Sequence, residues 1–268
     1  MKSGGITRRP EFNRTVFAHI DGLREESTGA SPSERDMNVL QDWLAWQASK
    51  NSRQPKFSFL FFDAPHGYDF PKEFQSKYLP QVDEIDYLNL NNGTNPEPIF
   101  NRYKNSVLFT DQLIGQVVET LEASGEFENT LLIITGDHGQ EMNDTKQNYW
   151  GHNSNFTRYQ VQVPLVLSGA SVEKLSPNSV MTSHVDIAPT LLKEYLGVTN
   201  PIEDYSTGYN LFELPEVRPW VLASSYNDFA VISENRIFEV DNSGLYRWLD
   251  AENKPVDNEE NAAYYRAL

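Results

Sequence analysis

Residues 130–140 read TLLIITGDHGQ. Thr130–Thr135 is a short apolar, β-branched run bounded by a glycine, which predicts a buried strand. The strand empties into Gly136-Asp137-His138-Gly139, so a carboxylate and an imidazole stand side by side just past its carboxyl end. In open α/β sheets that edge is where ligands gather. Asp137 and His138 are both ligand types for a divalent metal, and the flanking glycines let the backbone turn sharply and approach a ligand. An adjacent Asp–His pair also describes a turn with its histidine in solvent. The position at a strand end favours the ligand reading.

Upstream, Tyr103, Val107, Thr110, Ile114, Val117 and Leu121 recur every three or four residues, which predicts an amphipathic helix that Gly125 closes. Residues 65–98 are rich in Pro, Gly, Asn and aromatic residues without a period, a long irregular excursion of the kind that often carries function. FSFLFFD (57–63) predicts a strand buried on both faces, RTVFAHI (14–20) a further strand, and 33–49 a helix capped from Ser31 to Glu34. Along that helix Val39, Leu40, Trp43, Leu44 and Trp46 crowd one side.

Downstream, VQVPLVLS (161–168) predicts a strand with Pro164 at an edge or bulge. A helix follows from Asp186 as N-cap through Tyr195, with Pro189 in its first turn and Gly197 at its end. Three or four short strands are expected from the candidates 220–224, 229–233, 236–240 and 245–249. Helix followed by buried strand recurs, so the expected class is α/β: a mostly parallel sheet flanked by helices, with a small antiparallel C-terminal addition, in one domain spanning 1–268.

Composition bounds the function. With 268 residues and 39% hydrophobic content the chain can bury one sizeable core. A net charge of -16 repels a phosphate backbone, so nucleic acid is excluded as a partner. There is no cysteine, hence neither disulfide nor thiolate chemistry. No apolar run is long enough for a membrane helix or a signal peptide, and the chain as given is expected to be soluble.

Two more histidines follow strand ends or strand-proximal loops. His152 lies in NYWGHN (148–153), and can bind an ester oxygen, give a proton to a leaving group or ligate metal; stacking on Trp150 or Tyr149 is the alternative. His66 lies in DAPHGY (63–68). His19 and His184 fit packed or capping roles better, and Asp21 is a weaker candidate for a metal-binding carboxylate.

TLLIITGDHGQ, GHN, VQVPLVLSG and SHVDIAPTLLKEYLGV, in this order and spacing, resemble the C-terminal half of sulfatases and lipoteichoic-acid-synthase-like enzymes of the alkaline phosphatase superfamily. FSFLFFDAPHGYDFP and FNRYKNSVLFTDQLIGQVV add a likeness to inner-membrane members of Gram-negative bacteria, from about Gly4 to the C-terminus. The resemblance implies an alkaline-phosphatase-like fold whose N-terminal part is missing here. It also implies a divalent metal (Mn, Mg, Zn or Ca) held partly by Asp137 and His138, and substrate-side roles for His66 and His152. The family's Thr or Ser nucleophile finds no matching motif, so a hydrolase or transferase of phosphate or sulfate esters is implied for the complete protein, while this part is expected to be inactive alone.

The same resemblance implies a periplasmic domain, membrane attachment through segments missing from this chain, and lipid or a small phosphate or sulfate ester as partner. It leaves open a second role: a non-catalytic lipid-binding or regulatory domain controlling outer-membrane lipid (cardiolipin, lipopolysaccharide) homeostasis.

Overall fold

The computed structural model describes residues 28–49, 55–170, 172 and 180–257. The strand expected at 14–20, with His19 and Asp21, lies outside them. The chain forms two compact units that divide between Leu131 and Leu132.

The first unit is built on two helices, α1 (Pro32–Ser49) and α2 (Glu97–Ala123). Reciprocal bonds start α1: Glu34 N–H donates to Ser31 Oγ at 3.2 Å, and Ala30 N–H donates to Glu34 Oε2 at 2.8 Å. Leu40 and Trp43 of α1 pack with Phe109, Leu113, Val117 and Leu121 of α2 and with Ala64. Burial of each large side chain contributes about 1.5–3 kcal/mol. Asp36, fully buried, accepts the backbone N–H groups of Asp63 (2.9 Å) and Ala64 (2.7 Å), which ties the loop after FSFLFF to α1.

Two expectations change here. The inward stripe of α2 runs through Ile99, Phe109, Leu113, Val117 and Leu121, while Val107 is exposed. Both patterns have helical spacing, and the partner surface selects between them. FSFLFFD is not a strand buried on both faces: Phe57 is 82% exposed, Phe59 is 42% exposed, and only Phe61 carries a bridge. An apolar run states a preference for cover without supplying neighbours to give it.

The second unit opens within β1 (Leu131–Thr135), which pairs with β4 (Leu165–Gly169). β1 is half-buried. Between them lie a two-residue antiparallel ribbon, β2 (Glu141–Met142) with β3 (Trp150–Gly151), and a single helical turn, α3 (Arg158–Val161). The strand expected from Val161 therefore begins only after Pro164, which lacks the N–H a ladder needs. The helix expected from Asp186 starts earlier, as a 3-10 turn (His184–Asp186), continues as α4 (Ile187–Thr190) and loosens into a π turn (Leu191–Tyr195). Its N-cap is Ser183. Asp186 is the third residue of a capping box, with its carboxylate accepting Ser183 N–H at 2.7 Å.

The C-terminal addition is an antiparallel meander of β5 (Val221–Ser224), β6 (Asp228–Ile232), β7 (Arg236–Asp241) and β8 (Tyr246–Asp250). Ala230, Ile237 and Leu249 on one face pack with Phe156. The α/β class and the antiparallel addition thus both stand, and the sheet expected between helices is represented among the described residues by the β1–β4 pair.

Candidate functional site

The ribbon decides where two histidines sit. Its register pairs Met142 with Trp150 and Glu141 with Gly151, so the next positions outward are Gln140 and His152. His152 Nδ1 lies 2.9 Å from Gln140 Oε1, as that register requires. The chain then turns back to His138, whose ring stacks on that of His152 with centroids 3.9 Å apart and planes 24° from parallel. The stacking alternative considered for His152 thus occurs, but on His138 rather than on Trp150 or Tyr149.

Tautomers follow from the partners. His138 Nδ1 lies 2.8 Å from the Gly139 carbonyl oxygen, which only accepts, so Nδ1 carries the proton and the neutral ring places its lone pair on Nε2. His152 Nδ1 faces the Gln140 carbonyl oxygen, and the same assignment holds. A metal-ligating histidine typically donates its other ring N–H to a carbonyl or carboxylate. Asp137 Oδ1 accepts the His138 N–H at 3.1 Å and lies 3.8 Å from His138 Nε2. Two donors on one ion stand roughly 3–4 Å apart, so this pair fits a divalent cation. Asp137 is mostly exposed and His138 is about one-third exposed, leaving the pair open to a ligand.

Backbone crowding holds the motif in place. A side chain on Gly139 would put its Cβ 2.4 Å from the Tyr159 carbonyl oxygen, and Gly139 N–H donates to the Gln160 carbonyl at 2.7 Å. The second glycine is therefore required by close approach of α3.

Sequence reasoning missed the group beneath the histidines. Glu141, with no exposed surface, accepts hydrogen bonds from Thr145 Oγ1 (2.6 Å), Asn155 Nδ2 (2.7 Å) and Gln160 Nε2 (2.7 Å), with the Thr145 N–H at 3.3 Å. Glu141 follows His138 by three residues and Asn155 follows His152 by three, so one carboxylate ties both loops together. A glutamate within a two-residue strand gives no signal of this by pattern. Only the polar residues around it, Gln140 and 143–148, hint that its charge is satisfied locally.

His66 belongs to the first unit. It sits exposed in a tight turn over 63–69, where His66 N–H donates to the Asp63 carbonyl at 3.1 Å and Tyr68, buried, takes a φ of 49°. Thr135 Oγ1, at the end of β1, lies 3.3 Å from His184 Nε2, so His184 has a polar contact in addition to its place in the 3-10 turn.

The fold is shared with solved structures. A phosphonate monoester hydrolase from Silicibacter pomeroyi matches with a TM-score of 0.66 at 16% identity, over 89% of this chain and 58% of that one. The 2-O GAG sulfatase BT1596 matches with a TM-score of 0.60 at 17% identity, over 92% of this chain and 65% of that one. By sequence, the inner membrane protein YejM of Salmonella typhimurium is 26% identical over 243 residues, covering 89% of this chain and 36% of that protein. Human N-acetylglucosamine-6-sulfatase is 23% identical over 185 residues, covering 58% of this chain and 31% of that protein. The chain thus spans about a third of the length of these curated relatives. Among the described residues no helix is long and apolar enough to cross a membrane. The family model described as Sulfatase matches residues 8–197, across the division between the two units and over most of the sequence, and the chain belongs to the sulfatase family.

Proposed function

We propose that this chain carries the metal-holding and leaving-group side of a sulfatase-type site. The larger inner-membrane protein, of which this chain would be a periplasmic part, would act on phosphate or sulfate esters, lipid head groups among them. The observation that carries the reading is the ribbon that sets His152 beside Gln140 and against His138, next to Asp137. Asp137 and His138 would hold the divalent ion, manganese, magnesium, zinc or calcium. When bound, such an ion neutralises charge on the oxygens of the ester.

The protein groups do the rest. Gln140 fixes the His152 ring, so that neutral His152 accepts at Nε2 and protonated His152 donates there to a departing oxygen. Backbone N–H groups around Gly136 and Gly139 favour an anion locally despite the net charge, because the distant field is screened. His66 enters through the family resemblance, as a second substrate-side imidazole. No residue of this chain is assigned as the nucleophile. The reading therefore calls for binding without turnover, since loss of a covalent nucleophile removes several orders of magnitude in rate.

The test is calorimetric titration of the purified chain with manganese and then inorganic phosphate, beside Asp137→Ala, His138→Ala and His152→Ala, with an aryl ester assay on each. Weak metal binding lost in the first two variants, phosphate binding lost in the third, and no turnover are expected. Turnover that both Asp137→Ala and His152→Ala abolish would overturn the truncated-site reading. Phosphate binding indifferent to His152→Ala would overturn its role.

A second reading is a regulatory, lipid-binding domain that keeps the fold without catalysis, serving outer-membrane lipid homeostasis. It is favoured by the extent of the YejM match, 89% of this chain against 58% for the human sulfatase. Vesicles containing cardiolipin separate the two: retention by the wild-type chain that survives His138→Ala and His152→Ala supports regulation.

A further inference from the structure

One end of the C-terminal meander holds more negative charge than the protein itself neutralises. Residues directly opposite in adjacent strands share a face, and the registers Asp228 with Asp241 and Glu239 with Arg247 place all four on one side. They line a cleft of about 250 Å³ together with Leu245 and Tyr246. Three carboxylates thus meet one guanidinium. Like charges directly opposite disfavour pairing, yet Asp228 faces Asp241.

Glu239 is the informative member. It is only 6% exposed, and its Oε1 takes both bonds from Arg247, Nη2 at 2.6 Å and Nε at 3.2 Å. Its Oε2 is buried and has no hydrogen-bond partner. Buried carboxylate oxygens are rarely left without a donor, and each exception calls for an explanation such as an ion or ligand. Asp241 is engaged differently: its Oδ1 accepts Ser243 Oγ at 2.6 Å and the Leu245 N–H at 3.0 Å.

We propose that this cleft binds a primary ammonium group on a short aliphatic carrier, with the N–H donors shared between Glu239 Oε2 and the carboxylates of Asp228 and Asp241. The fixed positive charge of Arg247 beside these carboxylates repels a divalent metal ion more strongly than a singly charged ammonium group. An ammonium group offers three directed donors. Its alkyl carrier would lie along Leu245 and the stem of Arg247. This site is separate in sequence and in strand from His138 and His152, and does not rest on the function proposed above.

The experiment is calorimetric titration of the purified chain with n-butylammonium chloride, against tetramethylammonium chloride and calcium chloride at matched ionic strength. Saturable one-site binding of butylammonium is expected, at least ten-fold weaker in Glu239→Gln and unchanged in His138→Ala. Tetramethylammonium, which has no N–H, should not bind. Circular dichroism checks that Glu239→Gln is folded; if it is not, Asp228→Asn, whose residue is only partly buried, carries the same test with an expected loss of about three-fold. No saturable binding, equal binding by the carboxylate variant, equal binding of tetramethylammonium, or displacement by calcium would each overturn the proposal.

Discussion

Replacing Glu141 by alanine should uncouple the two histidine loops, and the size of the effect follows from what the carboxylate holds. Three buried donors, Thr145 Oγ1, Asn155 Nδ2 and Gln160 Nε2, lie within 2.7 Å of its oxygens, and Glu141 itself has no exposed surface. Hydrogen bonds to a charged group contribute about 1.5–3 kcal/mol each, and a buried donor left without a partner costs about 1–3 kcal/mol. The losses are not additive, and water entering the vacated space recovers part of them. A net destabilisation of roughly 3–5 kcal/mol is the resulting expectation. Glu141→Gln keeps the volume, and its carbonyl oxygen can take the two amide donors while its NH₂ meets Thr145, whose hydroxyl can turn to accept but whose N–H cannot, so it should cost about 1–2 kcal/mol, less than the alanine. Urea unfolding followed by tryptophan fluorescence measures both. Hydrogen exchange should also rise at Gln140 and His152, whose positions depend on the loops that Glu141 joins. A loss under about 1 kcal/mol in Glu141→Ala would refute the reasoning, because the carboxylate would then be a bystander to the ribbon.

Gly139→Ala should displace α3 or the His138 turn, since its Cβ would lie 2.4 Å from the Tyr159 carbonyl; about 2–4 kcal/mol of lost stability is expected in the same urea assay, and a neutral result would mean the approach is soft. Arg218→Ala should cost about 3–5 kcal/mol, because it leaves fully buried Asp186 without its 2.6 Å ion pair, whereas Arg218→Met should cost less by keeping the contact with the Tyr209 ring; thermal unfolding ranks them. Ser243 Oγ, with backbone N–H groups, holds the Asp241 carboxyl below the usual carboxylate range. A depressed folded-state value means stability present above the unfolded value and lost as pH falls through the folded one, so Ser243→Ala should raise the Asp241 titration point toward the unfolded value, readable by carboxyl-carbon NMR.

The elements that could be read from sequence are those whose signals are local. α1 and its cap are written in Ser31, Glu34 and the apolar spacing of Val39, Leu40 and Trp43, and the four strands of the meander in their alternation. Asp137 and His138 are legible as a candidate pair because a strand end and two glycines frame them. What escaped depends on partners distant in sequence. Nothing local tells Val107 that Phe109 faces the core, or tells 57–63 that it lacks cover. The tie from Asn155 and Gln160 to Glu141 requires the ribbon to form first. Asp186 was read as a cap because cap and third residue use the same side-chain chemistry, and only the position of Ser183 distinguishes them.

The ribbon joining Gln140 to His152 also constrains how relatives of this protein can differ. Its turn, 143–149, carries left-handed backbone at Asn143, Lys146 and Asn148, and each strand is only two residues long. Side chains in such a ladder alternate faces with a period of two. Exchanging residues within the turn leaves that alternation intact. Adding or deleting a single one, if the ladder slips to absorb it, turns His152 to the opposite face from Gln140. Outside Thr145, which holds Glu141, and the left-handed positions, substitution should therefore be tolerated in this turn among functional descendants and single-residue length change rare, with any surviving change in length coming in pairs or accompanied by a bulge that restores the parity.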